Sequence, residues 1–323
     1  MYVCACTRRP RCLFLGDPGA GKSTLLKYLA LMSIDGKLPN LPAFPIHISL
    51  ADFASSPGIG LIEFATTRWD EWYGFPEEEA RTYMETCLID GHAMMLLDAL
   101  DETVIGGNEQ SGQESYHRVL EAIRQVISLY PNALIVVTAR KAGYFQRERL
   151  GRGFTEFEVL DFRPEDIKEF VNKWFKYHPM PRKYVTADGL NNQLEHNPRM
   201  LSLAANPLLL CLIIMVYELH QDLPEKQADL YKQCIDTLLF KWDSSRDIRR
   251  LRAFKTEYKR ELLTEIAWHF HRQGKRYFEE NELLVVISNF LPTIIPEYSP
   301  EQARLILQEI EEENGLLKEQ AQG

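Results

Sequence analysis

The first half of the chain alternates between two hydrophobic patterns. Short apolar runs bounded by turn-forming residues predict buried strands, and the segments between them carry apolar residues at helical spacing. This alternation is typical of βαβ units on a parallel sheet. The predicted strands cover residues 12–15, 46–50, 93–97, 133–138 and a short segment near 157–160.

One long amphipathic helix is predicted between the third and fourth strands. Its apolar residues recur three or four positions apart and therefore share one face. They are Tyr116, Val119, Leu120, Ile123, Val126, Ile127 and Tyr130. Pro131 and Asn132 follow directly and end the helix.

After residue 161 the strand-like runs disappear and helical periodicity replaces them. A helix is predicted to begin at Pro164, with Ile167, Phe170, Val171 and Trp174 on one face. Further helices are predicted at 208–216, which is apolar on all sides and therefore buried, and at 228–242, 255–272, 280–291 and 300–313. A charged stretch, 243–252, separates the last three from the others. We therefore place domain boundaries near residues 161 and 245.

Composition excludes several classes of protein. A chain of 323 residues that is 45% hydrophobic is expected to be a soluble globular protein of two or three domains. Its formal net charge of -9 argues against bulk nucleic-acid binding, and the basic run 246–252 is explained as a solvated helix face or linker. The longest apolar stretch, 208–216, is too short to cross a membrane.

Cysteine usage favours a reducing compartment. The six cysteines show neither the spacing of a zinc site nor the density of a disulfide scaffold. A cytoplasmic location is therefore expected.

A phosphate-binding loop follows the first predicted strand. Residues 16–23 match G-x-x-x-x-G-K-[ST] in full, directly before a helical run. Glycines let backbone N–H groups wrap around phosphates, and a helix N-terminus attracts anions. Lys22 is predicted to reach the β- and γ-phosphates, Ser23 to bind Mg²⁺ and Thr24 to lie near the α-phosphate. The predicted nucleotide-binding residues of the loop are Gly16, Asp17, Pro18, Gly19, Ala20, Gly21, Lys22, Ser23 and Thr24.

An acidic cluster follows the third predicted strand. Open α/β sheets bind ligands at the carboxyl ends of their strands, where Asp98, Asp101 and Glu102 are expected to lie. Asp98 is predicted to hold Mg²⁺, directly or through water. Asp101 and Glu102 are predicted to orient and deprotonate a water molecule for hydrolysis. Taken alone, such a cluster also fits a solvated turn or a helix cap.

Arg140 ends the fourth predicted strand at the same sheet edge. We expect its guanidinium to sense the γ-phosphate. The alternative is an arginine paired with an acidic residue on the surface.

These elements, in this order, resemble the NACHT class of signal-transduction ATPases with numerous domains. This class includes animal inflammasome-type receptors and bacterial defence proteins. The small residue Ala99 after Asp98, followed by Asp101 and Glu102, resembles the NACHT form of the Walker B motif. Residues 138–140 resemble its sensor 1.

The resemblance continues beyond the ATPase core. Residues 162–167, with Phe170 and Trp174, are similar to the opening helix of the family's first helical domain. Residues 206–210 resemble a motif whose proline, here Pro207, contacts adenine; Pro207 would otherwise simply begin a buried helix. Residues 262–270 and 282–284 resemble the start of a winged-helix domain.

The resemblance implies a fold in three domains. Residues 1–161 would form a P-loop NTPase core, a three-layer α/β/α structure with a parallel sheet. Residues 162–245 would form a helical domain, and 246–323 a partial winged-helix domain. Eleven residues precede the first strand, and no winged-helix histidine is found, so a truncated fragment with an incomplete adenine pocket is expected. His269 and His271 lie on an earlier helix and receive no role.

The resemblance also implies a function. ATP and ADP, with Mg²⁺, would control a signalling or defence switch that hydrolyses ATP slowly and self-associates on activation. Its trigger and effector would lie outside this chain. Two alternatives stay open: an ordinary turnover ATPase or kinase, and a non-hydrolysing interaction fragment.

Overall fold

The computed structural model describes residues 11–56, 58–103, 109–145, 147–151, 153–178, 185–245, 256–275, 278–295, 302–304 and 306–307. The basic run 246–252 and most of the helix predicted at 300–313 lie outside these residues. The chain divides into two compact units. The first contains the described residues up to Asp161 together with Asn206–Leu208, and the second contains Phe162–Ala205 and the described residues from Leu209 onward.

The first unit is built on a parallel sheet of five strands. They are β1 (Arg11–Gly16), β2 (Phe44–Ser49), β3 (Ala93–Asp98), β4 (Leu134–Arg140) and β5 (Thr155–Glu158), in the order β2-β3-β4-β1-β5. β1, β3 and β4 are buried almost throughout. Strands buried on both faces have continuous apolar sequences, and for this reason these three were recognisable from sequence. The order confirms the predicted α/β class and brings the carboxyl ends of β1, β3 and β4 to one edge.

The two outer strands differ from the central ones. β2 contains Pro45, which has no N–H to donate to a further strand. β5 carries two exposed acids, Glu156 and Glu158, between partly buried residues. Both features are typical of edge strands.

Helices cover both faces of this sheet. They are α1 (Lys22–Ile34), α2 (Leu50–Ala54), α3 (Leu61–Tyr73), α4 (Glu77–Ile89), α5 (Glu109–Leu129) and α6 (Lys141–Phe145). Strand side chains alternate between faces, so Cys12 and Phe14 join Leu26 of α1 in one cluster, whereas Leu13 joins Ile123 of α5 in the other. The three-layer α/β/α arrangement is therefore confirmed, as is the predicted apolar face of α5.

The second unit is helical in its described part. It holds α7 (Pro164–Tyr177), α8 (Ala187–Glu195), α9 (Pro198–Ala204), most of α10 (Pro207–His220), α11 (Gln227–Ser245), α12 (Thr256–Arg272) and α13 (Glu280–Ile294). Helix α10 is not buried on all sides as predicted, because Leu208 in its first turn is 54% exposed. The short helices α8 and α9, capped by Thr186 and Asn197, were not predicted.

Two apolar clusters stabilise this unit. One joins α7 to α10 through residues such as Val171 and Ile213, and the other joins α12 to α13 through Leu262, Ile287 and Leu291. The three-domain division proposed from sequence, including the partial winged helix, stays a prediction. Among the helices described here, none is both long and apolar enough to cross a membrane.

Candidate functional site

The phosphate-binding loop connects β1 to α1. Gly19 and Gly21 have φ values of 79° and 88°, in the left-handed region that glycine adopts without strain. The Ala20 N–H donates to the Asp17 carbonyl oxygen at 3.2 Å and closes a turn within the loop. A Cβ atom on Gly21 would find no atom within 4 Å, so open space lies beside that residue.

The N-terminus of α1 is suited to an anion. Gly21 precedes the helix, and within the described chain no side chain caps this end and no acidic residue lies in the first turn. The first N–H groups of a helix have no partner inside it, and they carry the positive end of the helix dipole. Open space beside Gly21 and uncapped N–H groups together fit a phosphate.

Lys22 folds back over the loop that precedes it. Its Nζ donates to the carbonyl oxygens of Gly16 at 3.1 Å and Asp17 at 3.0 Å. Burial lowers the pKa of Lys22; the Asp101 carboxylate opposes this, the Arg140 cation adds to it, and Asp98 opposes it. The charges of these two acids and of the arginine therefore act on the lysine.

Thr138 links the acidic end of β3 to β4. Its hydroxyl donates to Asp98 Oδ1 at 2.5 Å and accepts from the Ala99 N–H at 2.8 Å. Thr138 has no exposed surface. The sequence indicated Thr138 only through the sensor 1 resemblance and gave it no role. The structure shows that it fixes the carboxylate that was predicted to hold Mg²⁺.

Ala99 turns the chain away from β3. Its φ of 61° lies in the left-handed region, where any residue with a Cβ atom is strained. The short 3₁₀ helix Leu100–Glu102 follows immediately. This turn brings Asp101 and Glu102 back toward the end of β4.

Arg140 pairs with both of these acids. Its backbone N–H donates to Asp101 Oδ1 at 2.8 Å, and its Nε lies 3.3 Å from Asp101 Oδ2. Its Nη2 donates to Glu102 Oε1. The Asp101 side chain is only 6% exposed, whereas that of Glu102 is 25% exposed. Arg140 therefore pairs with two acids of the candidate site. Its role as a sensor of the γ-phosphate stays a prediction.

Gly143 was missed by sequence analysis. It lies in α6, and a Cβ atom built on it would approach Asp101 Cβ to 2.7 Å. Glycine at this position lets α6 pack against Asp101. A single glycine in the sequence gives no signal of such a contact, because the contact joins two separate elements.

Pro207 is the first residue of α10 and is partly buried. Its neighbours contact the phosphate loop: Asn206 donates to the Pro18 carbonyl oxygen, and the Leu208 N–H donates to the Gly19 carbonyl oxygen. The structure thus places Pro207 beside the loop. A contact with adenine stays a prediction.

The arrangement defines a class of protein. A glycine-rich loop between a strand and a helix, with an acidic cluster and an arginine at the same edge of a parallel sheet, is the site of a P-loop NTPase. All residues predicted for this site belong to the first compact unit, and their roles in nucleotide binding and hydrolysis stay predictions: Gly16, Asp17, Pro18, Gly19, Ala20, Gly21, Lys22, Ser23, Thr24, Asp98, Asp101, Glu102, Arg140 and Pro207.

The family model of the NACHT domain matches residues 10–178, just over half of the 323-residue chain. The chain therefore belongs to the NACHT family, whose domain is a nucleotide-binding P-loop NTPase. The matched segment includes β1–β5 and extends through α7. Comparison with curated proteins gives no significant match.

Proposed function

We propose that this NACHT protein is an ATP- and ADP-controlled switch that hydrolyses ATP slowly and self-associates according to the nucleotide bound. The observation that carries the proposal is the pairing of Arg140 with both Asp101 and Glu102. A ligand shifts a conformational equilibrium only by its difference in affinity for the two states. Arg140 would supply this difference, because only a nucleotide with a γ-phosphate would compete with an acid for its guanidinium.

The loop provides the general binding of both nucleotides. The N–H groups at the start of α1 would bind phosphate oxygens, and Lys22 would exchange its two carbonyl acceptors for phosphate oxygens. A phosphate anion also strengthens the charged form of a lysine whose pKa burial has lowered. These contacts do not distinguish ATP from ADP by themselves.

Ser23 and Asp98 would hold Mg²⁺. The Thr138 hydroxyl orients the Asp98 carboxylate, which is a ligand type that Mg²⁺ prefers. When bound, Mg²⁺ neutralises charge that develops on the phosphate oxygens. The chain's own contribution is the fixed position of the carboxylate.

Arg140 would distinguish the two nucleotides. ATP offers a γ-phosphate that competes with Glu102 for the guanidinium, whereas ADP offers none and leaves the ion pair intact. Release of Glu102 frees its carboxylate to accept a proton from water. Asp101 keeps the Arg140 backbone N–H and thereby holds the end of β4 in place. Opening of the Arg140–Glu102 ion pair would thus accompany each hydrolysis.

The signalling or defence role, self-association and a cytoplasmic location belong to this proposal. Family membership supports the signalling role and self-association, because a switch of this kind assembles according to the nucleotide that it binds. Cysteine usage supports the third.

Hydrolysis measured under single- and multiple-turnover conditions, combined with light scattering, tests the proposal. The parent chain is expected to hydrolyse ATP slowly and to change mass between ATP and ADP. Lys22→Ala is expected to lose nucleotide binding, and Glu102→Gln to bind ATP without hydrolysing it. Arg140→Gln is expected to bind both nucleotides with a reduced difference in affinity.

The same experiment identifies the alternatives. Fast multiple turnover at constant mass would indicate an ordinary ATPase. Tight nucleotide binding with neither hydrolysis nor a change in mass would indicate an interaction module. Either result would overturn the proposed switch.

A further inference from the structure

Asn206 contacts the phosphate loop through its side-chain amide. Its Nδ2 donates to the Pro18 carbonyl oxygen at 2.9 Å, and its Oδ1 accepts from the Leu208 N–H at 3.1 Å. The same Leu208 N–H also donates to the Gly19 carbonyl oxygen at 3.2 Å. Asn206–Leu208 belongs to the same compact unit as the loop.

The loop segment that Asn206 binds is a tight turn. Asp17 accepts from the Ala20 N–H, Pro18 occupies the second position, and Gly19 at the third has a φ of 79°. Proline followed by a glycine of positive φ is the signature of a type II turn. Types I and II differ mainly by a half-rotation of the peptide between their two central residues. That peptide is the Pro18–Gly19 bond.

The carbonyl of Pro18 determines where the Gly19 N–H points. A trans peptide is planar, so its C=O and N–H groups point in opposite directions. No cis peptide occurs among the described residues. A donor that holds the Pro18 oxygen on one side therefore directs the Gly19 N–H to the other side. Glycine lacks the Cβ that would otherwise restrict this rotation, so an external contact has a real effect here.

The contact is close as well as polar. A Cβ atom on Gly19 would lie 2.7 Å from Asn206 Oδ1 and 2.9 Å from Leu208 Cβ. Glycine at this position is thus required by its φ and by the approach of these two residues. The Leu208–Gly19 hydrogen bond uses backbone atoms only, so it can persist when the Asn206 side chain is replaced. The contribution of Asn206 can therefore be measured separately.

We propose that Asn206 is a positioning residue for phosphate binding: its amide holds the Pro18–Gly19 peptide in the orientation that presents the Gly19 N–H to a bound polyphosphate. This inference rests on the nucleotide binding described under Proposed function. The contacts that carry the proposal join Asn206 to Pro18 of the loop and to Leu208.

Two variants separate the loop contact from the helix cap. Asn206→Ser keeps an oxygen able to accept from the Leu208 N–H, but a serine is too short to reach Pro18. Asn206→Ala removes both contacts. Asn197→Ala is the matched control, because Asn197 caps α9 through the Met200 N–H and belongs to the second compact unit.

The measurements are binding of inorganic pyrophosphate and of ADP by titration calorimetry, and the NMR signal of ¹⁵N-glycine amides. Both Asn206 variants are expected to bind each probe about tenfold more weakly, the effect of one well-placed hydrogen bond. The Gly19 amide shift on adding pyrophosphate is expected to shrink in both. Asn206→Ser is expected to keep the parent's melting temperature, and Asn197→Ala to keep its affinity.

Parent-like affinity in folded Asn206→Ser, or an equal loss in Asn197→Ala, would overturn the proposal for Asn206 alone. If the parent and Lys22→Ala both fail to bind pyrophosphate and ADP, the proposed nucleotide function fails and this inference fails with it. If Asn206→Ala does not fold, Asn206→Ser still decides the question, because it retains the helix cap.

Discussion

Thr138 is a buried hydroxyl that satisfies two polar groups at once, the Asp98 carboxylate and the Ala99 N–H. Thr138→Val keeps the shape of the side chain but removes both hydrogen bonds. Unpaired buried polar groups cost about 1–3 kcal/mol each. We therefore expect urea denaturation to show a loss of about 2 kcal/mol or more in unfolding free energy.

Thr138→Ser is the control, because it keeps the hydroxyl and loses only a methyl group. Its Mg²⁺-dependent hydrolysis is expected to exceed that of the valine variant clearly. Equal stability and equal activity of the two variants would show that the hydroxyl does not position Asp98.

Ala99 gives a second prediction at this scale, because its φ is 61°. Left-handed backbone costs a non-glycine residue about 1–2 kcal/mol. Ala99→Gly is expected to leave stability unchanged or to raise it slightly, since relieved strain offsets the flexibility of glycine in the unfolded chain. Ala99→Val is expected to unfold at a lower urea concentration than the parent chain and Ala99→Gly, since β-branched residues tolerate this conformation poorly. A valine variant as stable as the glycine variant would contradict the observed turn.

Individual residues differ in how far sequence could predict them. Lys22 and Asp98 follow from motif and strand position, because the carboxyl ends of parallel strands meet. The pairing of Arg140 with two acids does not follow, because it depends on the turn at Ala99 and on side-chain rotamers. The role of Gly143 could not be predicted from sequence for a similar reason, because it depends on how closely two separate elements pack.

At the scale of elements, helix α6 packs closely against the 3₁₀ helix Leu100–Glu102, because Gly143 has no side chain at the contact. Gly143→Ala would place a methyl group 2.7 Å from Asp101 Cβ, closer than real Cβ atoms approach. We expect the variant to shift Asp101 and so disturb its bond to the Arg140 N–H. Single-turnover hydrolysis is expected to fall severalfold while ADP affinity stays near the parent's.

Ala142→Val is the control for this change. It enlarges a position of the same short helix that is exposed to solvent. A loss of hydrolysis as large as that of Gly143→Ala would assign the effect to the helix itself rather than to Asp101.

Element prediction succeeded where burial is complete. β1, β3 and β4 are apolar runs because both of their faces are covered, and α5 shows a clear face because its opposite side is polar. Helices α8 and α9 are too short for periodicity to accumulate, and their caps, Thr186 and Asn197, become informative only once the helices are known. Leu208 was wrongly predicted to be buried, because hydrophobicity alone cannot distinguish an exposed first turn from the buried part of a helix.

At the scale of the whole molecule, two buried cysteines allow the unfolding of each unit to be followed separately. Cys12 is fully buried in the first unit and Cys234 is 4% exposed in the second. Burial raises the pKa of Cys234 to about 11, so its thiolate is scarce at neutral pH. Alkylation of either cysteine therefore follows the unfolding of its own unit.

Nucleotide is expected to protect Cys12 in moderate urea. A ligand that binds the folded state alone stabilises it by about 2.7 kcal/mol at one hundred times its Kd. ATP or ADP at that concentration should slow iodoacetamide labelling of Cys12 about 100-fold, measured by peptide mass spectrometry. Lys22→Ala is expected to abolish the protection. Unchanged labelling of Cys12 in the parent chain would argue against binding at the loop.

The edges of the sheet also limit how copies of this chain can join. Pro45 removes a hydrogen-bond donor from β2, and the exposed carboxylate of Glu156 would repel the same residue of a second β5. Growth of a shared sheet from copy to copy, the route to amyloid fibrils, is therefore disfavoured at both ends. An assembly controlled by nucleotide would have to form through side-chain surfaces, and such contacts can be undone when the nucleotide changes.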